Sequence, residues 1–366
     1  MAFDLSGQRV GIGQIVPAAA SDLDALPRMG VLSATPSGRV LLFADVEPVV
    51  VSQVMYADTV AGQGRVFAYG VNGTQAQQQV RIVARSATGA IVRVTRVGHG
   101  RPTTAGNAFA TGASALANWL ASQGGGTYYV PADGQVVLAA GPWAGVGQVW
   151  ETILDFDATA QVQVVIAAAG PGESLPQQYQ TMPTPIRRGT FAGADVHLAV
   201  QSNGTGDLLT FPPPPYPPAV QGYSALDPGI APDNSGNWGI YYIIDFEVSP
   251  PQEEWVTWLL APFSGPNHGA NGAVLVQNAT VLVARSGSDL HYGTAEAFAG
   301  RNFGGGGGDS IQIATMASGG SYYPVAIVAA PSQPPAPVGG KIALVLGGLG
   351  VAAGTTLALL PPPPHY

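Results

Sequence analysis

The stretch QGRVFAYGVNGTQAQQQVRIVARSATGAIVRVTRV, residues 63–97, decides the fold class. Apolar and polar side chains alternate through Gln63–Val71, Gln79–Arg85 and Ala90–Val97. That period of two places successive residues on opposite faces of a strand. Asn72-Gly73-Thr74 and Thr88-Gly89 separate the runs with residue types that suit turns. Working outward, the same alternation occurs at Arg39–Ala44. It returns in TYYV and QVVLAAG, which flank Asp133-Gly134 as the arms of a hairpin would. Strands this closely spaced, with no helix between them, indicate antiparallel β-sandwiches rather than α/β units.

One helix is expected. Residues 107–122 (NAFATGASALANWLAS) set Phe109, Ala113, Leu116 and Leu120 on one stripe, and Gly124-Gly125-Gly126 stop the run. It should cap one end of the first sandwich, with Trp119 at its margin. A second set of strands follows at Gly189–Gly193, Val196–Val200, Gly239–Val248, Trp255–Leu260 and Ala273–Val276. The expected organisation is all-β with two antiparallel, Ig-like or jelly-roll-like sandwiches. An N-terminal arm occupies 1–28 and the first sandwich 29–175; a linker at 176–188 leads to the second sandwich, 189–330. A Pro-rich C-terminal arm or hairpin fills 331–366. Each half holds an aromatic-rich strand followed by an alternating one, at 63–85 and 237–260, as two copies of one sandwich would.

Composition narrows the function. Only 10% of the residues are charged, the net charge is −8, and Lys341 is the one lysine. Soluble domains carry about 25% charged residues. The arginines are scattered, with no basic run beyond Arg187-Arg188, which argues against nucleic-acid binding. Without cysteine there are no disulfides, thiolate nucleophiles or Cys-ligated metals. Residues 10–20 lack the basic start of a secretory leader, so no signal peptide is visible; a leader has been removed, or the chain is assembled where it is made. The uncharged run 342–360 approaches a membrane-spanning length. Its glycines, Thr355-Thr356 and two alternating stretches read instead as a β-hairpin, with a membrane anchor as the alternative.

The segment Asn234-Ser-Gly-Asn-Trp-Gly-Ile-Tyr-Tyr242 resembles the HGNYG-x-Y segment of a secreted cyanobacterial protein family of uncharacterised function. Arg65–Gly73 and Gly319-Gly-Ser-Tyr-Tyr-Pro-Val325 are similar to segments of bacterial surface proteins built of two sandwiches. Ser235 stands where the family has His, and Trp238 where it has Tyr. The resemblance implies a β-sandwich fold and a surface location; it implies no catalytic residue.

Motifs for chemistry are sparse. His99, His197, His268, His291 and His365 form no pair at the spacings that put two imidazoles on one face, so a metal would have to be gathered from distant segments, such as His268 or His291 with Asp289. His99 is the most site-like, between Gly98 and Gly100 beside Arg101; the bland reading is a tight turn that needs glycine dihedrals. Asp155 and Asp157 share a strand face, as paired glycosidase carboxyls could, and Glu253-Glu254 sits at a hairpin tip. Solvated carboxylates are the simpler account. No G-x-S-x-G elbow and no P-loop occurs. Loop aromatics remain: Trp143, Tyr216, Tyr223, Trp238, Tyr322 and Tyr323 could stack on sugars, or plug sandwich ends and knit subunits together. Asn72, Asn203 and Asn278 each head an Asn-x-Thr sequon.

The expected protein is non-enzymatic, without cofactor or metal. It is a structural subunit that associates with copies of itself in an extracellular filament or tube, surface layer or virion, through low-charge surfaces and terminal arms. The alternatives are a glycan-binding adhesion module and a C-terminally anchored surface protein.

Overall fold

The structure, a computed structural model, describes residues 5–179, 186–211, 222–262, 272–276, 280–284, 293–305, 308–319 and 325–335. The chain is all-β. Its first half runs β1 Leu5–Arg9, β2 Ile15–Ala18, helix α1 Ala20–Asp24, β3 Gly30–Ser37, β4 Val40–Val49, β5 Gln53–Asn72, β6 Gln79–Ser86, β7 Ala90–His99 and β8 Thr103–Thr104. Helix α2 (Ala108–Ala121), β9 Gly126–Val130, β10 Gly134–Ala140 and β11 Gln148–Ala169 complete it. The second half holds β12 Arg188–Phe191, β13 Asp195–Ser202, β14 Asp207–Phe211, β15 Tyr241–Val248, β16 Glu254–Pro262, β17 Gly272–Val276, β18 Thr280–Ala284, β19 Gly293–Phe303, β20 Asp309–Met316 and β21 Val325–Gln333.

The first sandwich is one sheet folded in half. β5 and β11 pair along nearly their whole lengths, and the register slips only where Ala158↔Gly62 gives way to Val162↔Val60. Gly62 has φ +77, which a side chain would disfavour, and it sits at this bend. On one side of the bend β11 also pairs with β7; on the other it pairs with β6. The two halves enclose a core that includes Leu42, Val66, Ile82, Val92, Trp150 and Phe156. The Asp133-Gly134 turn is present, but its arms do not pair as a hairpin: β9 joins β7 and β10 joins β6, so the turn crosses from one half-sheet to the other.

The second sandwich comes from two sheets, β1-β21-β16-β19-β2 with β14 on β21, and β18-β17-β20-β15-β13-β3. Most pairs are antiparallel, although β4–β5, β13–β15 and β1–β21 are parallel. Phe246, Trp258, Ile311 and Ile327 lie in its core, which is continuous with Leu41, Phe43, Phe67 and Ile153 on the outer face of the first sandwich. Helix α2 lies across that outer face and also touches β17 and β18. It therefore packs between the sandwiches rather than capping one end, and Trp119 is wholly buried rather than marginal.

This topology revises the expected boundaries. The segment expected as an N-terminal arm is built into its own chain: β1 pairs with β21, β2 with β19, and Leu5, Val16, Leu23 and Leu26 cover an apolar face of that sheet. β3 belongs to the second sandwich through β13, and β12 to the first through β4. Residue 331, the expected start of the C-terminal arm, falls inside β21. The halves are not copies, because β5 and β6 share one sheet whereas β15 and β16 lie in different ones. The cause is long-range pairing, which strand periodicity does not encode. The run 342–360 lies outside the described residues. Among those described, no helix is long and apolar enough to cross a membrane.

Candidate functional site

Strand alternation sends Val66, Ala68, Leu154 and Phe156 into the first core, and turns Arg65, Phe67, Ile153 and Asp155 toward the second sandwich. The result is a charged seam between the two. The Arg65 guanidinium donates to both oxygens of Asp155, from Nε at 2.7 Å and Nη2 at 3.0 Å. It also donates to the backbone carbonyls of Ala194 and Gly239, and contacts Asp195 Oδ1 at 2.9 Å. Arg39 reaches Asp155 at 3.3 Å, Asp195 at 3.2 Å and Asp157 at 3.8 Å. Burial opposes the charge on Arg65, but Asp155 and Asp195 outweigh it and raise its pKa. Trp119 and Tyr241 meet edge to face, and the guanidinium groups of Arg65 and Arg96 each lie 4.8–5.6 Å from both ring centroids. Asp155 and Asp157 are thus ion-paired with arginine rather than poised as a catalytic pair.

A second group of carboxyls adjoins the seam. Glu151, fully buried, accepts the Gly319 N–H at 2.8 Å, and its Oε1 has no hydrogen-bond partner among the described residues. Burial pushes its pKa well above the usual carboxyl range, against the pull of that N–H and with help from Asp45. Burial and then Glu47 push Asp45 up to about 7, although Arg187 lies 3.4 Å away. Glu47 is raised by burial, and Tyr69 is raised by burial together with Glu47, Glu151 and Asp45. A Cβ on Gly319 would meet the Tyr69 ring at 2.2 Å, so the loop closes tightly over these carboxyls. Elsewhere Arg188, also buried, makes two 2.7 Å bonds to Asp227 and so ties β12 to the 224–227 turn.

Gly98 and Gly100 make no turn: a Cβ at either would meet the α2 backbone, Ala115 O at 2.2 Å and Thr111 O at 2.3 Å. They let the helix lie directly on β7. His99 is half-buried against Thr152 Oγ1 at 3.1 Å, and burial lowers its pKa. Among the described residues, no three His, Cys, Asp or Glu side chains form a group that could hold a metal.

Of the six aromatics singled out from the sequence, the three that lie among the described residues make no ring contact with one another. Trp238 stacks on Phe43 with ring centroids 6.1 Å apart and planes 7° apart, so it joins the sandwiches. Trp143 and Tyr223 are exposed, on the β10–β11 loop and beside β12, with no ring contact between them. Tyr216, Tyr322 and Tyr323 lie outside the described residues, as do His268, His291, His365 and Asp289. A surface cleft of about 420 Å³ is lined by Ser52, Glu173, Ser174, Pro176, Gln177 and Gln178, without an aromatic ring. The seam, in contrast, escaped the sequence reading. Its signals were Arg65, the one cation of β5, and Asp155 of the carboxyl pair, and nothing local joined the two. No protein-family model matches the chain, and no curated protein is significantly similar to it.

Proposed function

We propose that this chain is a non-catalytic structural subunit that associates with copies of itself in an extracellular or virion assembly. The observation that carries the reading is the placement of charge. In a chain with so few charged residues, Asp45, Arg65, Glu151, Asp155, Arg188 and Asp195 are buried, which leaves the outside poorer still in charge. Uncharged surfaces can meet without desolvating ions. Strand β3 supports this: its sequence GVLSATPS has no charge and every residue is exposed, Leu32 at 61%. Its register slips between Ser33 and Val31, leaving Leu32 unpaired, and Pro36 lacks an N–H. Such a strand suits side-chain packing better than regular strand addition. The shared core and the seam hold both sandwiches as one block, as a repeating unit requires.

Electron microscopy of the purified protein tests the reading. Regular fibres, sheets or shells are expected, and deletion of residues 334–366 should leave a folded monomer that no longer assembles. Dispersed full-length monomers at all concentrations would overturn the proposal. Normal assembly of the truncated chain would remove the C-terminal segment from it.

A further inference from the structure

The tripeptide Asn-Gly-Thr occurs at Asn72–Thr74 and again at Asn203–Thr205. Each copy follows or ends a strand and folds the same local turn. Thr74 donates to Asn72 Oδ1 from its backbone N at 3.0 Å and its hydroxyl at 2.8 Å; Thr205 donates to Asn203 Oδ1 from both groups at 2.9 Å. Such Asx turns bring the side-chain amide back over the following peptide. The surroundings then differ completely. Asn72 is fully buried, and its Nδ2 donates to the carbonyls of Ala76 at 2.8 Å and Ala144 at 2.9 Å. The Gly73 N–H is donated to Val49 O at 2.8 Å. Asn203 is exposed, and its Nδ2 has no partner among the described residues. The Gly204 N–H points to Ser202 Oγ at 3.1 Å, and the Ser202 hydroxyl donates to Asp207 Oδ1 at 2.9 Å. Asp207 is buried, and burial raises its pKa, so it is a better proton acceptor than an ordinary aspartate.

We infer that Asn203 is a site of spontaneous covalent modification by intramolecular cyclisation, and that Asn72 is not. The Gly204 nitrogen attacks Cγ of Asn203, forming an N–Cγ bond and giving up its proton through Ser202 toward Asp207. The two Thr205 donors hold the developing oxyanion on Oδ1. The Cγ–Nδ2 bond then breaks and Nδ2 leaves as ammonia, taking up the proton released from Gly204. Water opens the resulting succinimide to aspartate or isoaspartate, so each event adds a negative charge to the turn joining β13 to β14. At Asn72 the tripeptide is the same, but Val71 stands where Ser202 supplies the relay, the leaving nitrogen is held by two carbonyls, the Gly73 N–H is held by a third, and the residue is closed to water.

The test is peptide mapping by mass spectrometry after incubation of the folded, full-length protein at 37 °C in mildly alkaline buffer. The peptide holding Asn203 should gain the mass of amide-to-acid conversion at least about tenfold faster than that holding Asn72, because Asn72 must first open locally. In urea the two rates should become similar to within a few-fold, since the Asn-Gly-Thr tripeptides are identical. Ser202→Ala should slow the folded-state reaction by about a hundredfold, the lower end of what a positioned proton-transfer group contributes. Thr205→Val should slow it by removing one oxyanion donor. Melting followed by near-ultraviolet circular dichroism confirms that each variant is folded. Equal rates at both sites in the folded protein, or a faster rate at Asn72, would overturn the inference. An unchanged rate in folded Ser202→Ala would overturn the relay.

Discussion

The first sandwich closes its core by doubling one sheet back on itself, whereas the second gathers strands from both ends of the chain. In the first, β5 and β11 cross from one half-sheet to the other, so both walls of the core share two continuous strands. In the second, the sheets hold no strand in common and need β1–β3, β13–β16 and β19–β21 brought together across the sequence. The contrast teaches where each is vulnerable. The first depends on its bend and on close ring-to-glycine packing within the ladder; the second depends on the seam and on the partner against which it is assembled.

The largest expected effect is at the seam. Arg65→Ala leaves Asp155 and Asp195 buried without their principal cation, a loss of about 3–5 kcal/mol in denaturant unfolding. Because the core is shared, wild type should unfold in one transition, and two well-separated wild-type transitions would break the comparison by making the sandwiches independent.

Next comes pH. Asp45, at about 7 against its ordinary 3.8, and Glu47 and Glu151, also raised, bind protons in the folded state that the unfolded chain has released. Folded stability is therefore fullest below about pH 4 for these groups and is lost as pH rises through 7. The groups facing this cluster are Tyr69, Arg187 and Asp233. Asp227, lowered by Arg188 first of all, and His99, lowered by burial, work in the opposite direction and lose their contributions as pH falls below their ordinary ranges, His99 alone within this window against the three raised carboxyls. Melting temperature should decline from pH 5 to pH 8, and Glu151→Gln should flatten that decline. A melting temperature that climbs steadily over this interval in wild type would contradict the carboxyl cluster.

A smaller effect separates the two ladders. A Cβ on Gly64 would lie 2.2 Å from the Phe156 ring, so Gly64→Ala should cost about 1–3 kcal/mol by overpacking the first core. On β19 a Cβ at Gly300 would meet Trp255 Nε1 at 3.1 Å, a milder approach than the one at Gly64, so Gly300→Ala should cost about 1 kcal/mol, the centre of the range for point substitutions. Equal costs by urea titration would erase the distinction. The smallest expected effect is Trp143→Ala, within about 0.5 kcal/mol, since the ring is exposed on a loop. A large loss of stability would show that the ring is structural.

Strand positions were legible in the sequence because a period of two is local, and so was the helix at 108–121. The pairing partners were not. TYYV and QVVLAAG flank an ideal turn dipeptide yet join different neighbours, since each gains more by extending a half-sheet than by pairing with the other. Trp238 and Trp143 both read as loop aromatics; only Phe43, brought close by the meeting of the two sandwiches, makes Trp238 part of the fold. Gly98 and Gly100 read as turn residues because a chain seen in one dimension cannot show a helix resting on a strand.

The sequence alone determined the class of this protein: low charge, strand periodicity and turn chemistry are properties of neighbouring residues, and they specify an all-β chain. Tertiary structure decided what each residue type does there. Arg65 and Asp155 became a buried lock because alternation faced them into a junction formed by distant strands. Asn72 became a buried post and Asn203 an exposed, reactive amide although their tripeptides are identical. The physical reason is the same in each case: burial and hydrogen-bond partners are set by residues far away in the chain, and they govern charge, proton affinity and reactivity.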